Sequence, residues 1–130
     1  MELRLIVVDF IPHNQQRYNT VGDWQFEAPN SVRGKVLHVR VSQTGNDKAN
    51  AAIAIHEIIE ALLCLFQGVS FADVDSYDFH NEGTAGTDCL SDNPKSPYFS
   101  QHNDALAIEY LFSRLLDLDW REYDELIQAL

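Results

Sequence analysis

Three ionisable residues, His56, Glu57 and Glu60, interrupt an otherwise apolar stretch of the chain. At about 100° of rotation per helical residue, Glu60 lies about 40° from His56, and Glu57 lies about 100° from it. An imidazole and a carboxylate in such positions share one face of a helix and can bind the same cation. A carboxylate just beside that face can take a proton from a metal-bound water. The spacing therefore predicts metal chemistry with a neighbouring general base.

The segment that carries these residues, 48–67, is rich in Ala, Ile and Leu and predicts a helix that ends before Gly68. Apolar side chains cover most of its circumference, so the helix should be buried. Buried ionisable groups cost on the order of several kcal/mol each unless something compensates them. A metal ion is one such compensation. Two other interpretations stay open: a buried hydrogen-bond network without metal, and a polar edge that simply faces solvent.

The sequence His-Glu-Ile-Ile-Glu at 56–60, continued by Ala61-Leu62-Leu63, resembles the active-site helix of zincin-like metallopeptidases. The likeness extends over about residues 35–117, and the chain is also similar to small uncharacterised phage proteins. It implies a zincin-like fold, a divalent metal and Glu57 as the catalytic base. Glu60 stands where that family has a second histidine. Carboxylate oxygen is an acceptable zinc ligand, and a carboxylate-rich site would also suit Mn or Fe.

The resemblance also implies a third metal ligand from a later helix, and His102 is the candidate because it opens the next predicted helix. The alternative for His102 is a surface histidine near a helix N-terminus, where the helix dipole disfavours its protonated form. Glu109, two turns further on, is the alternative ligand. Cys64 shares the polar sector of the first helix and is either close to the metal or a buried structural cysteine.

Two strands are expected before this helix. Residues 3–10 are rich in Leu, Ile and Val and predict a strand that is buried on both faces. Residues 35–42 alternate between apolar and polar and predict a half-exposed strand. By the resemblance, this second strand would line the cleft edge and pair with an extended peptide substrate. Residues 11–31 predict a loop with a short strand at 24–27.

Residues 69–99 show little periodicity and predict a long loop without regular structure. The acidic residues Asp73, Asp75 and Asp78 lack the register of a calcium-binding loop and are expected to be solvated. A second possibility is that this loop folds over the cleft and donates a further ligand. The candidates for that role are His80, Glu82 and Asp88.

Two helices should follow this loop. Ser100 is a candidate cap for a helix over 101–117, whose core stripe would be Leu106, Leu111, Phe112, Leu115 and Leu118. Asp119 and Glu122 resemble a capping box for a last helix that ends near Ala129. The element order predicts a single α+β domain over residues 1–130. Its short mixed or antiparallel sheet would pack on the buried helix, with two C-terminal helices beside it.

The formal net charge of −11 excludes direct nucleic-acid binding as a favoured function and disfavours binding to anionic membranes. No secretion signal is visible, and the longest apolar stretch, 49–66, is too interrupted for a membrane span. Two cysteines suggest no disulfide framework, so a reducing cytoplasm is the expected compartment. An acidic decoy that mimics DNA charge remains a minor alternative, and the oligomeric state stays open.

Together these features predict a small metal-dependent hydrolase of the peptidase kind, acting on a peptide or protein. His56, Glu60 and His102 would hold the metal, and Glu57 would activate water. The alternative is a catalytically degenerate zincin scaffold that serves as a binding or interaction protein. The carboxylate at position 60 favours that alternative.

Overall fold

The computed structural model describes residues 3–29, 33–81 and 94–130, which form a three-stranded sheet and four helices. The strands are β1 (Leu3–Ile11), β2 (Gly22–Glu27) and β3 (Lys35–Ser42). The helices are α1 (Asp47–Phe66), α2 (Phe71–Asn81), α3 (Phe99–Leu115) and α4 (Trp120–Gln128), and a short 3-10 turn covers His13–Gln15. The predicted α+β class is confirmed.

The sheet is mixed, with β3 in the centre, parallel to β1 and antiparallel to β2. Leu37, Val39 and Val41 of β3 are fully buried in the core, as expected for alternate residues that face a helix layer. The expectation that this strand lines a cleft edge is wrong, because strands flank β3 on both sides. In the described part of the chain, β2 pairs with β3 alone and is therefore an edge strand. It contacts the polar residues Glu57 and Glu60 of the following helix through Gly22 and Trp24.

Strand β1 is a sheet edge rather than a strand buried on both faces. Ile6 and Phe10 lie beside Leu37 and Val41 of β3, yet they are 40% and 47% exposed. The reason is the position of α1, which packs mainly over β2 and β3 and covers β1 less, so that Val8 packs against the core while Ile6 and Phe10 stay partly exposed. The apolar composition of this strand therefore gives no indication of its burial.

Helix α1 has nearly the predicted bounds. The Asn46 side chain caps it by accepting a hydrogen bond of 3.0 Å from the backbone N–H of Ala49. At the other end Gly68 adopts a φ of +76°, which lets the chain reverse without steric cost. By length and composition α1 could cross a membrane, but most of the helix is packed inside the protein, between the sheet and α3.

Helix α2 occupies residues 71–81 of the stretch 69–99, which the sequence predicted as a loop without regular structure. Val74 and Asp78, one turn apart, are its buried residues. Asp78 accepts hydrogen bonds from the hydroxyls of Tyr18 at 2.9 Å and Tyr98 at 2.6 Å, so the expectation of a solvated loop residue was wrong. His80 is exposed, and Glu82, Asp88 and Cys89 lie outside the described residues.

Helix α3 buries a mainly polar face, which consists of Gln101, His102, Ala105, Glu109 and Ser113. The predicted apolar stripe is wrong at Leu111 and Leu115, since Leu115 is 73% exposed, although Leu118 is buried beyond the helix end. The helix begins at Phe99 and has no side-chain cap, so Ser100 is not the cap. α3 runs antiparallel to α1, since Gln101 contacts Gln67 and Glu109 contacts His56. Its polar face is turned towards the polar strip of α1, which consists of His56, Glu57 and Glu60.

Helix α4 has the predicted N-terminal cap. The side chain of Asp119 accepts a hydrogen bond of 3.0 Å from the backbone N–H of Glu122. The helix ends at Gln128, next to the predicted end at Ala129. Tyr123 is its buried residue and packs into the core.

Candidate metal centre

Side chains from two helices meet at one buried point. Nε2 of His56 lies 3.1 Å from Oε2 of Glu60 and 3.1 Å from Nδ1 of His102. Nδ1 of His102 lies 2.9 Å from the same oxygen of Glu60. Residues 56 and 60 are one helical turn apart on α1, and residue 102 enters from the first turn of α3. The chain thus brings together the three residues that the sequence nominated as metal ligands, in a group that could hold one cation.

The three facing atoms fit a cation better than they fit one another. Glu60 can only accept hydrogen bonds when ionised, and each ring nitrogen carries at most one proton. At most two of the three contacts can therefore be hydrogen bonds. Zinc ligands at tetrahedral angles are roughly 3.3–3.5 Å apart. Separations of 2.9–3.1 Å therefore need to open by only a few tenths of an ångström to admit an ion.

Burial of these groups excludes the solvent-edge interpretation of the strip on α1. His56, Glu57 and Glu60 are all buried, with Glu60 only 5% exposed. His102 is 8% exposed, so it is not a surface histidine. Ionisable groups at this depth must be compensated by charge or by hydrogen bonds. A metal centre and a metal-free polar network both provide that compensation.

Glu109 lies on the opposite side of the His56 ring and is not part of the three-residue group. Its Oε1 is 2.6 Å from Nδ1 of His56, an ion-pair distance without the alignment of a regular hydrogen bond. A carboxylate in this position favours a proton on Nδ1 and leaves the lone pair of Nε2 facing Glu60 and His102. This tautomer is the one that lets His56 bind a metal through Nε2. The sequence offered Glu109 as a ligand, whereas the geometry gives it an outer position.

Trp24 orients the second oxygen of Glu60. The indole Nε1 of this β2 residue donates a hydrogen bond of 2.9 Å to Oε1 of Glu60. With Oε1 engaged by Trp24, Oε2 is the oxygen that faces both imidazoles. The sheet thereby sets the rotation of the carboxylate, and strand β2 becomes part of the site.

Glu57, the proposed base, lies under the first residue of β2. The approach is so close that a Cβ atom on Gly22 would lie 2.6 Å from Cγ and 2.7 Å from Cδ of Glu57. A larger residue at position 22 would therefore require the Glu57 side chain to move. Burial and, after it, the charge of Glu60 raise the pKa of Glu57 well above its usual range. The positive charges of His56 and His102 act in the opposite direction and lower the pKa of Glu57, but they do not outweigh its burial.

Protons take up the excess negative charge of the site when no ion is bound. Burial alone would lower the pKa of His56, but contacts with Glu109 and Glu60 outweigh it and raise that pKa to about 11. Burial alone would raise the pKa of Glu60, but contacts with His102 and His56 lower it to about 2. The metal-free site thus pairs a protonated His56 with an ionised Glu60. A divalent cation would compete for the position of that proton.

Two residues of the segment between β1 and β2, Arg17 and Tyr18, connect helix α2 to the sheet. Arg17 forms ion pairs with Asp23 of β2 at 2.6 Å and with Asp75 of α2 at 2.8 Å. Tyr18, beside it in sequence, donates to Asp78 of α2. These contacts attach α2 to the sheet. Burial in this region, together with the nearby charge of Glu60, raises the pKa of Asp78 to about 6 even though both tyrosine hydroxyls stabilise its ionised form.

Cys64 lies one turn beyond Glu60 but is not part of the group of facing ligand atoms. It is a fully buried core residue. Burial, followed by the charge of Glu60, raises the pKa of its thiol to about 12. A thiol that keeps its proton is a poor metal ligand. The structural interpretation of Cys64 is therefore the one that the geometry supports.

Comparison of the chain with protein-family models, curated proteins and solved structures finds no match. The geometry of the site is consequently the evidence on which its function must be argued.

Several residues around the site were not foreseen from the sequence, among them Trp24, Gly22 and Tyr123. Glu109, by contrast, was named from the sequence as an alternative ligand, because it follows His102 by two helical turns and so shares its face. Trp24 and Tyr123 contact the site across many intervening residues, and no spacing in the sequence points to such contacts.

Proposed function

We propose that this chain is a small cytoplasmic, zincin-like, metal-dependent hydrolase that cleaves amide bonds in peptides or proteins. His56, Glu60 and His102 would hold the divalent ion, with zinc as the first choice and Mn or Fe as alternatives. The observation that carries the proposal is the meeting of two ring nitrogens and one carboxylate oxygen within 2.9–3.1 Å. A further buried carboxyl group, Glu57, lies on the next residue after His56.

A divalent ion in this position would supply Lewis acidity to water and to a substrate carbonyl. Glu57 would then act as the general base. Its raised pKa disfavours the ionised form, and the positive charge of an ion held by His56 and Glu60 would favour it. Once ionised, Glu57 can take a proton from the attacking water and pass it to the departing amine.

Strand β2 is the element that we propose for substrate positioning. Among the described strands it pairs only with β3, which leaves it at an edge of the sheet, and its residues Trp24 and Gly22 contact Glu60 and Glu57. An extended peptide can add to such an edge by backbone hydrogen bonds. The role that the sequence suggested for residues 35–42 thus passes to the neighbouring strand. The net charge of −11 supports a peptide over a nucleic acid as substrate.

The metal site is tested by metal analysis of purified protein after exposure to Zn²⁺, Mn²⁺ or Fe²⁺ and removal of excess ion. We expect one equivalent of bound metal, which His56→Ala abolishes. His80→Ala is the matched control, because His80 is exposed on α2 and contacts Ser76 of the same helix. Absence of stoichiometric metal in the wild-type chain, or unchanged binding by His56→Ala, contradicts the proposed site.

Catalysis is tested separately with fluorogenic peptide libraries and a protein substrate such as casein. Glu57→Gln keeps the size of the side chain but removes the base, so we expect hydrolysis to fall by roughly 10²–10⁴-fold while metal binding is retained. Equal hydrolysis by wild type and Glu57→Gln contradicts the role of Glu57.

The second candidate is a catalytically degenerate scaffold that binds a metal or a partner without hydrolysis. Its supporting observation is the enclosure of Glu57 between Glu60 and the backbone of Gly22, where its protonated form is favoured. This candidate predicts stoichiometric metal binding together with no hydrolysis of any peptide in the library. The activity assay therefore separates the two functions.

A further inference from the structure

The C-terminal helix reaches the candidate metal centre through a single side chain. Tyr123 is the buried residue of α4, and its hydroxyl donates a hydrogen bond of 2.5 Å to Oε2 of Glu109. The other oxygen of that carboxylate lies 2.6 Å from Nδ1 of His56. Both oxygens of Glu109 are thus engaged, one by α4 and one by a candidate ligand on α1.

Packing alone does not require a tyrosine at this position. A phenyl ring would fill the same apolar space, and a buried hydroxyl is costly unless it finds an acceptor. The acceptor is itself a buried carboxylate, and the described ion pairs give Glu109 no partner other than His56. The hydroxyl, the carboxylate and the imidazole therefore form a chain of contacts that ends at the three-residue group.

We propose that Tyr123 and Glu109 are positioning residues of the metal site, so that docking of α4 and metal binding strengthen each other. The inference rests on the proposed metal-binding function. Tyr123 fixes the rotation of the Glu109 carboxylate, and Glu109 holds the proton of His56 on Nδ1, which directs Nε2 to the ion. Because coupling between two equilibria is reciprocal, the factor by which docked α4 raises metal affinity is the factor by which metal stabilises the docked helix.

The test compares Zn²⁺ affinity of the full chain and of Tyr123→Phe, measured by competition with a chromophoric chelator. Loss of a group that contacts a metal-ligating histidine directly typically weakens metal binding by about 10–100-fold. Tyr123 acts one contact further out, through Glu109, so we expect a loss near the lower end of that range. Tyr110→Phe is the matched control, since Tyr110 is a half-exposed tyrosine whose ring also packs on Trp120. Its affinity should equal that of wild type. Binding by Tyr123→Phe within about twofold of wild type overturns the inference while leaving the metal site intact.

Two measurements on the wild-type chain keep the inference testable if Tyr123→Phe does not fold. Hydrogen exchange of the α4 amides should slow when Zn²⁺ is added, and unchanged exchange overturns the coupling. Nitrogen-15 spectra of the zinc-bound chain should show His56 protonated on Nδ1, and the opposite tautomer overturns the role of Glu109. If wild type binds no metal at all, the proposed function fails and the inference fails with it, which is a distinct result from a loss of coupling alone.

Discussion

The indole nitrogen of Trp24 donates a hydrogen bond to Oε1 of Glu60, so a residue of the sheet sets the orientation of a carboxylate on the helix. Each of the two oxygens of Glu60 consequently has its own task, one towards the sheet and one towards the two histidines. This division explains how a carboxylate can occupy the place that the resemblance assigns to a second histidine. It also makes Trp24 a residue whose replacement should affect metal binding.

Replacement of Trp24 by Phe should weaken Zn²⁺ binding by about tenfold or more, because Glu60 loses the contact that orients it. The metal-free chain should also lose about 2 kcal/mol in its free energy of unfolding, since a buried oxygen is left without a donor. Chelator competition and urea unfolding measure the two effects. Trp120→Phe on α4 is the control for loss of indole bulk. Wild-type affinity in Trp24→Phe would show that the hydrogen bond does not support the site.

Metal affinity should rise with pH around neutrality. The pKa of His56 in the metal-free site is about 11, above its ordinary value of 6.5, so an incoming ion must displace a proton. The apparent Zn²⁺ affinity should increase about tenfold per pH unit between roughly pH 6 and pH 8 for each proton released. Competition titrations at several pH values measure the slope. Affinity independent of pH would contradict a protonated His56 in the metal-free site.

The raised pKa of His56 also determines how the stability of the metal-free chain depends on pH. The pKa of His56 is raised on folding, so the stabilisation from its protonated form is fully present below about pH 6.5 and is lost as pH rises through about 11. Chelator-treated protein should therefore lose stability on the alkaline side through this group. His56→Gln should lack that component.

Replacement of Gly22 by Ala should destabilise the chain by about 1–3 kcal/mol, because the added methyl group overlaps the side chain of Glu57. Shortening Glu57 in the same molecule should restore most of the loss. A double-mutant cycle with Gly22→Ala, Glu57→Ala and the combined variant measures this coupling by urea unfolding. Additive effects of the two substitutions would show that the residues do not touch in solution.

The stability of the chain should show a second dependence on pH, which comes from Asp78. Burial raises the pKa of Asp78, whereas contacts with carboxylates raise that of His56. The pKa of Asp78 is raised on folding from 3.8 to about 6, so the folded chain binds more protons than the unfolded chain between these values. Stability from this group therefore falls as pH rises from about 4 to about 6, by at most about 3 kcal/mol. Asp78→Asn removes the titrating group and keeps polar contacts for both tyrosines. Parallel stability profiles for the two proteins, from urea unfolding with chelator present, would contradict the shift.

Local sequence patterns predicted the elements whose character is set locally. The run of Ala, Ile and Leu in α1, the alternation in β3 and the cap at Asp119 each placed an element within a few residues of its observed bounds. The sequence predicted that α1 is buried but left open whether its polar strip, His56, Glu57 and Glu60, faces solvent, and the structure buries all three residues. Its meeting with His102 followed from resemblance to a family rather than from any local pattern.

The errors arose where burial depends on a distant partner. Leu115 was assigned to the core because it is apolar, yet α3 buries His102 and Glu109 instead, since those side chains meet the polar strip of α1. Helix α2 was missed because its sequence shows no clear apolar periodicity, and the partners of its buried Asp78, Tyr18 and Tyr98, lie far away in sequence. Strand order, which leaves β1 partly uncovered, cannot be read from composition.

The close approach of Gly22 and Glu57 links two positions on different elements. In a homologous chain that keeps this backbone, a residue larger than glycine at the start of β2 would require the glutamate at position 57 to move. A shorter acid on the helix, or a shift of the sheet, would relieve the same overlap. A search for divergent relatives can therefore require a glycine at the start of β2 together with a glutamate at position 57 of α1. Such a pair is more selective than the five-residue helical motif alone.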